Sequence, residues 1–189
     1  EINKASLLIS PQNALALCAL PENKPLPENL YSLSLFLDEI QDPGNLGTII
    51  RICDWFGIKQ LFCSPGCADL FNPKVIQATM GSFCRVKVWN SEFLPVSQLA
   101  QKSGSVITGA FLDGENIFTE KLPEKTLLVM GNEGNGISAD TAVLIQKKIK
   151  IPDFSQEGTK AESLNVAIAT AVICSEFRRQ TVYPGLLKM

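Results

Sequence analysis

Short apolar runs alternate with segments of helical periodicity along most of the chain. The runs at 33–37 and 126–130 are apolar almost throughout, as in strands that are buried on both faces. Other runs of strand character lie at 60–63, 86–89, 105–111 and 147–151. Helical spacing occurs at 46–56, 73–80, 95–102 and 138–146, the last with Ser138 as its cap. This alternation predicts an α/β domain with a mostly parallel sheet and helices on both faces.

The C-terminal stretch has two unlike halves. Residues 153–162 are polar and contain glycine, which predicts an exposed or ligand-covering loop. From Ser163 the chain is apolar on nearly every face, which predicts a buried helix with Ser163 as its cap. Asn165 lies in the first turn of this helix, where an apolar residue would pack better. Polar side chains at such a helix start either satisfy backbone N–H groups or meet a ligand.

Residues 1–32 differ from the rest of the chain. The apolar run at 15–20 predicts a first strand, and a proline-rich connector with Pro21, Pro25 and Pro27 follows it. We therefore expect a linker tail with one strand at 1–32 and a single folded domain at 33–189. The sequence begins with Glu1 rather than Met, so we expect an upstream part of the protein to precede it.

Composition is typical of a globular protein and limits the partners of the chain. Hydrophobic residues make up 46% and charged residues 19% of the 189 residues, and we expect no membrane span. A net charge of −2 and a pI of about 5.3 exclude binding of nucleic acid by overall charge alone. A nucleic-acid partner would need a local basic patch or another domain. Arg85, Lys87, Arg178 and Arg179 are too scattered in the sequence to define such a patch.

The chain has six cysteines and no histidine. The cysteines lie mostly in apolar segments, and Cys63 and Cys67 form the only close pair. We therefore expect reduced thiols in a cytoplasmic protein, and no zinc or other metal site. The absence of histidine excludes Ser-His and Cys-His nucleophiles and an imidazole base.

Two polar segments follow predicted strands. In Gly131-Asn-Glu-Gly-Asn-Gly136, three glycines allow either a close backbone approach to a ligand or a tight strand-to-helix turn. Their spacing fits neither the dinucleotide fingerprint nor the P-loop. Glu133 within this segment is either a partner of the helix dipole or a ligand holder. The other segment holds Asn45 and Arg51, and Arg51 needs a partner or a ligand unless its stem lies over apolar neighbours at the surface.

Together with the start of the last helix, these segments resemble the three motifs of the SpoU family of RNA ribose 2′-O-methyltransferases, the TrmH-like branch of the SPOUT class. Residues 42–51 (Asp-Pro-Gly-Asn-Leu-Gly-Thr-Ile-Ile-Arg) resemble the first motif, and residues 129–138 (Val-Met-Gly-Asn-Glu-Gly-Asn-Gly-Ile-Ser) resemble the second. Ile151-Pro152 and residues 162–167 (Glu-Ser-Leu-Asn-Val-Ala) resemble the third. The resemblance covers about 33–180. The stretch between Pro152 and Ser163 is longer than in the family pattern.

The resemblance implies the fold and the cofactor of the family. The fold is an α/β domain with a C-terminal deep trefoil knot, in which S-adenosylmethionine is bound in a bent conformation. The residues implied around its adenine are Gly131, Ile151 and Leu164, with Ala110 as a weaker candidate. The resemblance also implies a homodimer with the knot helix in its interface, which would explain a last helix without a polar face.

The activity implied by the resemblance is methyl transfer to a ribose 2′-OH of RNA. The residues assigned to catalysis are Arg51, Asn45, Glu133, Ser163 and Asn165. Arg51 would activate the 2′ oxygen, Asn45 would orient Arg51 or the ribose, and Asn165 would place the nucleophile. A guanidinium almost never loses its proton, so we favour a grip on the adjacent phosphate and stabilisation of the alkoxide over action as a base.

The sequence leaves the substrate and two other functional classes open. Ribosomal RNA is expected because residues 1–32 resemble the trailing linker of family members with an N-terminal RNA-binding domain, and transfer RNA is the alternative. A catalytically silent RNA-binding or assembly factor on the same fold is a second class. A Rossmann-type oxidoreductase is a third, which the glycine spacing disfavours.

Overall fold

Six parallel strands form a single sheet in the computed structural model, which describes residues 16–21, 25–155 and 163–182. The strands are β1 (Leu33–Leu37), β2 (Gln60–Cys63), β3 (Lys87–Asn90), β4 (Val106–Asn116), β5 (Thr126–Met130) and β6 (Lys147–Lys150). Their order across the sheet is β3-β2-β1-β5-β4-β6, and each neighbouring pair is parallel. The predicted parallel α/β architecture is confirmed.

Helices connect the strands. They are α1 (Pro43–Trp55), α2 (Pro73–Thr79), α3 (Phe93–Lys102), α4 (Ala139–Ala142) and α5 (Val166–Val182), with a short 3₁₀ helix at Ser82–Cys84. The start of α1 lies three residues before the predicted one, because Asp42 caps the helix by accepting from the Asn45 N–H at 2.8 Å. Pro43 fits the first helical position, where no N–H is needed. None of the helices in the described segments has the length and apolarity needed to cross a membrane.

The alternation of side chains along β1 divides the core into two layers. Leu35 and Leu37 belong to the layer that contains the buried side chains of α1 and α5. Phe36 lies on the opposite face of the sheet against α3, with its ring centroid 4.7 Å from that of Phe93. Because helices cover both faces, the central strands β1 and β5 are buried along their whole length, as the apolar runs predicted.

The prediction of a first strand at 15–20 is wrong for residues 16–20, which are the part of this run that the structure describes. Residues 16–20 have no regular structure, and Leu17 and Leu20 are exposed by 98% and 70%. No strand among the described residues pairs with this run, so its apolar side chains find no partner there. Residue 15 and the apolar residues 6–9 lie outside the described segments.

The helix predicted at 138–146 is also too long, since α4 ends at Ala142. Gln146 pairs with β4 instead of continuing the helix. Its backbone N–H donates to the Ile107 carbonyl at 2.9 Å, and its side-chain Oε1 accepts from the Ile107 N–H at 2.8 Å. Pairing with the sheet therefore overrides helical propensity at this position.

β4 is longer than predicted and changes register in its middle. Both Ala110 and Glu115 are paired with Ile149 of β6. A side chain on Gly114 would approach the Ile149 backbone to 2.5 Å, so this glycine allows the close contact. The segment 111–114 therefore bulges around β6.

Candidate functional site

The candidate site lies at the carboxyl edge of the sheet, between β1 and β5. From β1 the chain continues to β2 on one side, whereas β4 and β6 lie beyond β5 on the other side. Ligand sites of open α/β sheets lie where the strand order reverses in this way. The three polar segments with motif character follow β1, β5 and β6, so their starts all lie at this edge.

Asp38 links the end of β1 to the segment after β5. Its backbone N–H donates to the Met130 carbonyl at 2.8 Å, and its buried Oδ2 accepts from the N–H and the hydroxyl of Ser138 at 2.9 and 2.8 Å. Ser138 precedes α4, but its side chain makes no cap hydrogen bond to that helix. The prediction of Ser138 as a capping side chain is therefore wrong, because Asp38 takes up its hydroxyl.

The glycine-containing segment forms a tight turn closed by its own backbone. Asn132 and Gly136 exchange two N–H···O bonds of 2.9 Å, and Gly136 has a positive φ of 70°. A methyl group on Gly131 would overlap the backbone of Gly136 and Ile137. The Asn132 side chain donates to the Glu39 carbonyl at 2.8 Å and so ties the turn to the loop after β1. The tight turn, one of the two interpretations of these glycines, is therefore sufficient to explain a glycine at position 131.

A chain of hydrogen bonds joins one side chain from each of the three segments. The Asn45 Nδ2 donates to Glu133 Oε1 at 2.6 Å, and the Asn165 Nδ2 donates to Asn45 Oδ1 at 3.0 Å. The partners are 88 and 120 residues apart in the sequence. Asn45 is thus held by a carboxylate on one side and an amide on the other.

Asn165 also caps the last helix. Its Oδ1 accepts from the N–H groups of Ala167 at 3.0 Å and Ile168 at 3.3 Å, and the helix α5 begins at Val166. These contacts show that Asn165 is the cap. The prediction that Ser163 caps this helix, with Asn165 inside the first turn, is therefore wrong. Ser163 lies two residues before the cap and is exposed.

Arg51 does not join this hydrogen-bonded chain. It lies on α1 six residues after Asn45, about 9 Å further along the helix axis. Its side chain is exposed and has no hydrogen bond or ion pair to any residue in the described ranges. Asn45 makes no hydrogen bond to Arg51, since its amide is taken up by Glu133 and Asn165. The guanidinium is therefore available to a ligand.

The four residues expected around a cofactor lie in or after strands β4, β5 and β6. Gly131 begins the turn after β5, and Ala110 pairs with Ile149 near the end of β6. Ile151 directly follows β6 and is half-buried against the core. Leu164 precedes α5 and is 51% exposed, although it is apolar. This edge therefore presents exposed apolar surface and loop backbone beside the polar chain of Asn45, Glu133 and Asn165.

Cys67 fastens the neighbouring loop. Its sulfur accepts a hydrogen bond from the Ile40 N–H at 3.3 Å. Its thiol donates a hydrogen bond to the Leu37 carbonyl, also at 3.3 Å. The hydrogen bond from Cys63 lowers the pKa of Cys67 to about 7, although burial opposes this shift. Both cysteines are free, and the described residues contain no group of side chains suited to a metal ion.

Sequence reasoning missed Asp38 and Asn132 as residues that position the site. Each joins the loop after β1 to the segment after β5. The available signal was a charged residue that directly follows an apolar strand in the first case, and an amide that directly follows a glycine in the second. Both residue types form local turns frequently, so this signal alone does not identify a distant partner.

Comparison with known proteins gives one consistent family. The model of the SpoU rRNA Methylase family matches residues 32–175. The chain is 33% identical over 171 residues to the 23S rRNA (guanosine(2553)-2′-O)-methyltransferase RlmP of Bacillus subtilis. That match covers 89% of this chain and 66% of the relative, so the chain spans just under two thirds of that protein.

Solved structures agree with this result. A protein from Porphyromonas gingivalis assigned to the TrmH family of RNA methyltransferases is 40% identical, with a TM-score of 0.79 over 95% of this chain and 71% of that one. The SpoU methyltransferase AviRb of Streptomyces viridochromogenes, solved in complex with AdoMet, is 27% identical. Its TM-score is 0.74 over 87% of this chain and 64% of that one. Motifs, fold and comparisons agree, and the chain belongs to the SpoU rRNA methylase family.

Proposed function

We propose that this protein is an S-adenosylmethionine-dependent methyltransferase that acts on a ribose 2′-OH of RNA. Ribosomal RNA is the favoured substrate, because the relative from Bacillus subtilis is named as a 23S rRNA 2′-O-methyltransferase. Transfer RNA is the alternative substrate. The chain spans just under two thirds of that relative, so residues outside it are expected to contribute to the choice of RNA.

The hydrogen-bonded chain of Glu133, Asn45 and Asn165 carries this proposal. Three segments far apart in the sequence place their polar side chains together at one strand edge. Polar side chains that bond to one another at an exposed loop edge contribute little to a hydrophobic core. Their convergence is instead what a site needs when it must hold a polar substrate group in one orientation.

The residues present fit S-adenosylmethionine. Ile151 and Leu164 offer apolar surface for an adenine ring, and the Leu164 side chain is half exposed. The turn from Gly131 to Gly136 brings loop backbone to the same edge, and Ala110 adds a small side chain on β4. When bound, this cofactor supplies a methyl group on a positively charged sulfur.

The polar side chains would then orient the substrate. The exposed guanidinium of Arg51 would grip the phosphate next to the target ribose and stabilise the negative charge that develops on the 2′ oxygen. Asn45 is fixed by Glu133 and Asn165 and would hold the ribose. Ser163 and Asn165 precede α5, where they would complete the polar wall and place the 2′ oxygen.

The same proposal includes the knot, a homodimer and a cytoplasmic location. The resemblance of Ile151-Pro152 and residues 162–167 to the third motif of the family supports the knot. The partly exposed apolar face of α5, which includes Ile168, supports association of two copies through this helix. The six free cysteines are in keeping with the reducing cytoplasm.

Two measurements test the function. Isothermal titration should detect binding of S-adenosylmethionine and none of NAD. Tritium from the labelled methyl group should enter ribosomal RNA when the purified protein is added, and the modified position should resist alkaline cleavage as a 2′-O-methyl nucleotide does. Binding of S-adenosylmethionine without methyl transfer to ribosomal or transfer RNA would favour the silent assembly factor. Binding of NAD alone would contradict the proposal.

A further inference from the structure

The C-terminal end of α1 presents an indole ring that the described residues leave uncovered. Trp55 is the last residue of α1 and is 85% exposed. The other tryptophan, Trp89, stacks on Phe62 with ring centroids 5.2 Å apart and donates from its indole to the Pro25 carbonyl at 3.0 Å. Trp55 has no such ring contact or hydrogen bond among the described residues. A large aromatic surface is thus left in water at this point.

Basic side chains from different parts of the chain lie near this end of α1. Arg51 lies one helical turn before Trp55 on the same exposed face of α1. Arg178 reaches from α5 and donates from its Nε to the Phe56 carbonyl at 2.7 Å. Arg85 lies beside Asp54, with its Nη2 2.7 Å from the carboxylate.

The charge at this helix end is positive in spite of the acidic chain. Asp54 accepts from Arg85 and Ser82. Burial alone would raise the pKa of the Asp54 carboxyl, but these hydrogen bonds and the nearby Lys59 outweigh burial and lower that pKa. Asp54 is therefore ionised and pairs with Arg85, so Arg51, Arg178 and Lys59 leave an excess of positive charge at this helix end. Arg85 and Arg178, which are scattered in the sequence, thus come together near the C-terminal end of α1.

We propose that Trp55 is a stacking platform for an unpaired base of the RNA substrate, with the arginines near it in contact with the flanking phosphates. This inference deepens the proposed function and rests on it for the identity of the RNA. Aromatic rings bind bases of any sequence through their faces, and basic residues around them track the phosphate backbone. Trp55 lies ten residues after Asn45, about 15 Å further along α1, so a base on Trp55 would belong to a nucleotide a few positions away from the methylated ribose.

The fluorescence of the two tryptophans tests this directly. In the Trp89→Phe variant, Trp55 is the only tryptophan, and a short single-stranded oligoadenylate should quench its emission as the base stacks. In the Trp55→Phe variant, the same oligoadenylate should leave the emission of Trp89 unchanged. An emission of Trp55 that does not respond to oligoadenylate at low salt would overturn the proposal. The measurement on Trp89→Phe does not depend on the folding of any Trp55 variant.

Kinetics separates this inference from the proposed function. Trp55→Ala should raise the KM for RNA about tenfold with little change in kcat, and Trp55→Phe should restore most of the loss. Binding of S-adenosylmethionine and the molar mass in solution should stay unchanged. If Trp55→Ala turned a dimer into a monomer, the indole would contact a second copy of the chain and the inference would fail. If the wild-type protein transferred no methyl group while oligoadenylate still quenched Trp55, the proposed function would fail and the RNA surface would stand.

Discussion

Asn165 makes two kinds of hydrogen bond with different atoms of one side chain. Its Oδ1 caps α5 through the N–H groups of Ala167 and Ile168. Its Nδ2 donates to Asn45 at 3.0 Å and so belongs to the candidate site. The start of the last helix and the orientation of Asn45 therefore depend on the same residue, and substitutions can separate the two contributions.

The comparison of Asn165→Asp with Asn165→Ala tests this division. An aspartate caps a helix as well as an asparagine does, but it cannot donate to Asn45 and it adds a second carboxylate near Glu133. Asn165→Asp should therefore keep the thermal stability and lose methyl transfer. Asn165→Ala should lose both, with a drop in the free energy of unfolding of about 1 kcal/mol. Equal stability losses in both variants, measured by thermal denaturation, would contradict the capping role.

Arg51 is exposed and free of protein partners in the described structure, so its removal should not affect folding. Arg51→Ala should lower kcat for methyl transfer by about 10²- to 10³-fold, as for the loss of one group that stabilises a developing oxyanion. Arg51→Lys should also be poor, because an ammonium cannot grip a phosphate with two parallel hydrogen bonds. S-adenosylmethionine should bind both variants with unchanged affinity in isothermal titration. Retained turnover in Arg51→Ala would remove this residue from the mechanism.

For single residues, the sequence could not predict which candidate caps a helix. Ser163 and Asn165 are both good helix caps, and they are two residues apart, so propensity alone could not choose between them. The choice depends on Asn45, which is 120 residues away in the sequence. Ser138 is a similar case, because its hydroxyl donates to Asp38 across 100 residues.

Among the elements, buried strands were predicted with the best bounds. β1, β2 and β5 have the bounds that were predicted, since each is a short apolar run with turn residues close to its ends. β4 extends to Asn116 because β6 pairs with its second half, where Asp113, Gly114 and Glu115 give no strand signal. Pairing between distant segments determines such an extension, and a local pattern does not contain it.

The turn after β5 offers a matched pair of substitutions. Gly131→Ala would place a methyl group inside the backbone of Gly136 and Ile137, so the turn must open. We expect a loss of about 1–3 kcal/mol in the free energy of unfolding and weaker binding of S-adenosylmethionine. Gly134→Ala in the same turn would meet only the Asn132 side chain, at 3.6 Å, and should be nearly neutral. Urea denaturation of both variants measures this, and equal stabilities would contradict the packing argument.

At the scale of the whole molecule, the parallel sheet explains why the site could be predicted in part. Carboxyl ends of parallel strands meet at one edge, so segments that follow β1, β5 and β6 can converge there, as Asn45, Glu133 and Asn165 do. The basic side chains that come together near the end of α1 could not be predicted in this way. Arg178 reaches Phe56 across 122 residues, and its position depends on how α5 packs beside α1.

The packing of α5 leaves an apolar stripe whose members recur at helical spacing. Ile168 is exposed by 54%, and the partly buried Ala171 and Val172 continue the stripe one turn later. With the partly exposed Phe118 beside it, this surface borders a cavity of about 330 Å³ that is also lined by Ser175 and Glu176. Solvent-exposed apolar surface of this kind marks an interaction site, which here fits the proposed second copy of the chain.

Substitution of Ile168 by glutamate tests the proposed dimer at the centre of this stripe. A carboxylate there would remain in water in a monomer, but it would lose its hydration in an interface between two α5 helices. Ile168→Glu should therefore convert the protein from a dimer to a monomer in size-exclusion chromatography with light scattering, with little change in circular dichroism. Val143→Glu is the matched control, because Val143 is 80% exposed and lies outside the stripe. A dimer that persists in Ile168→Glu, or one that only Val143→Glu disrupts, would place the interface elsewhere.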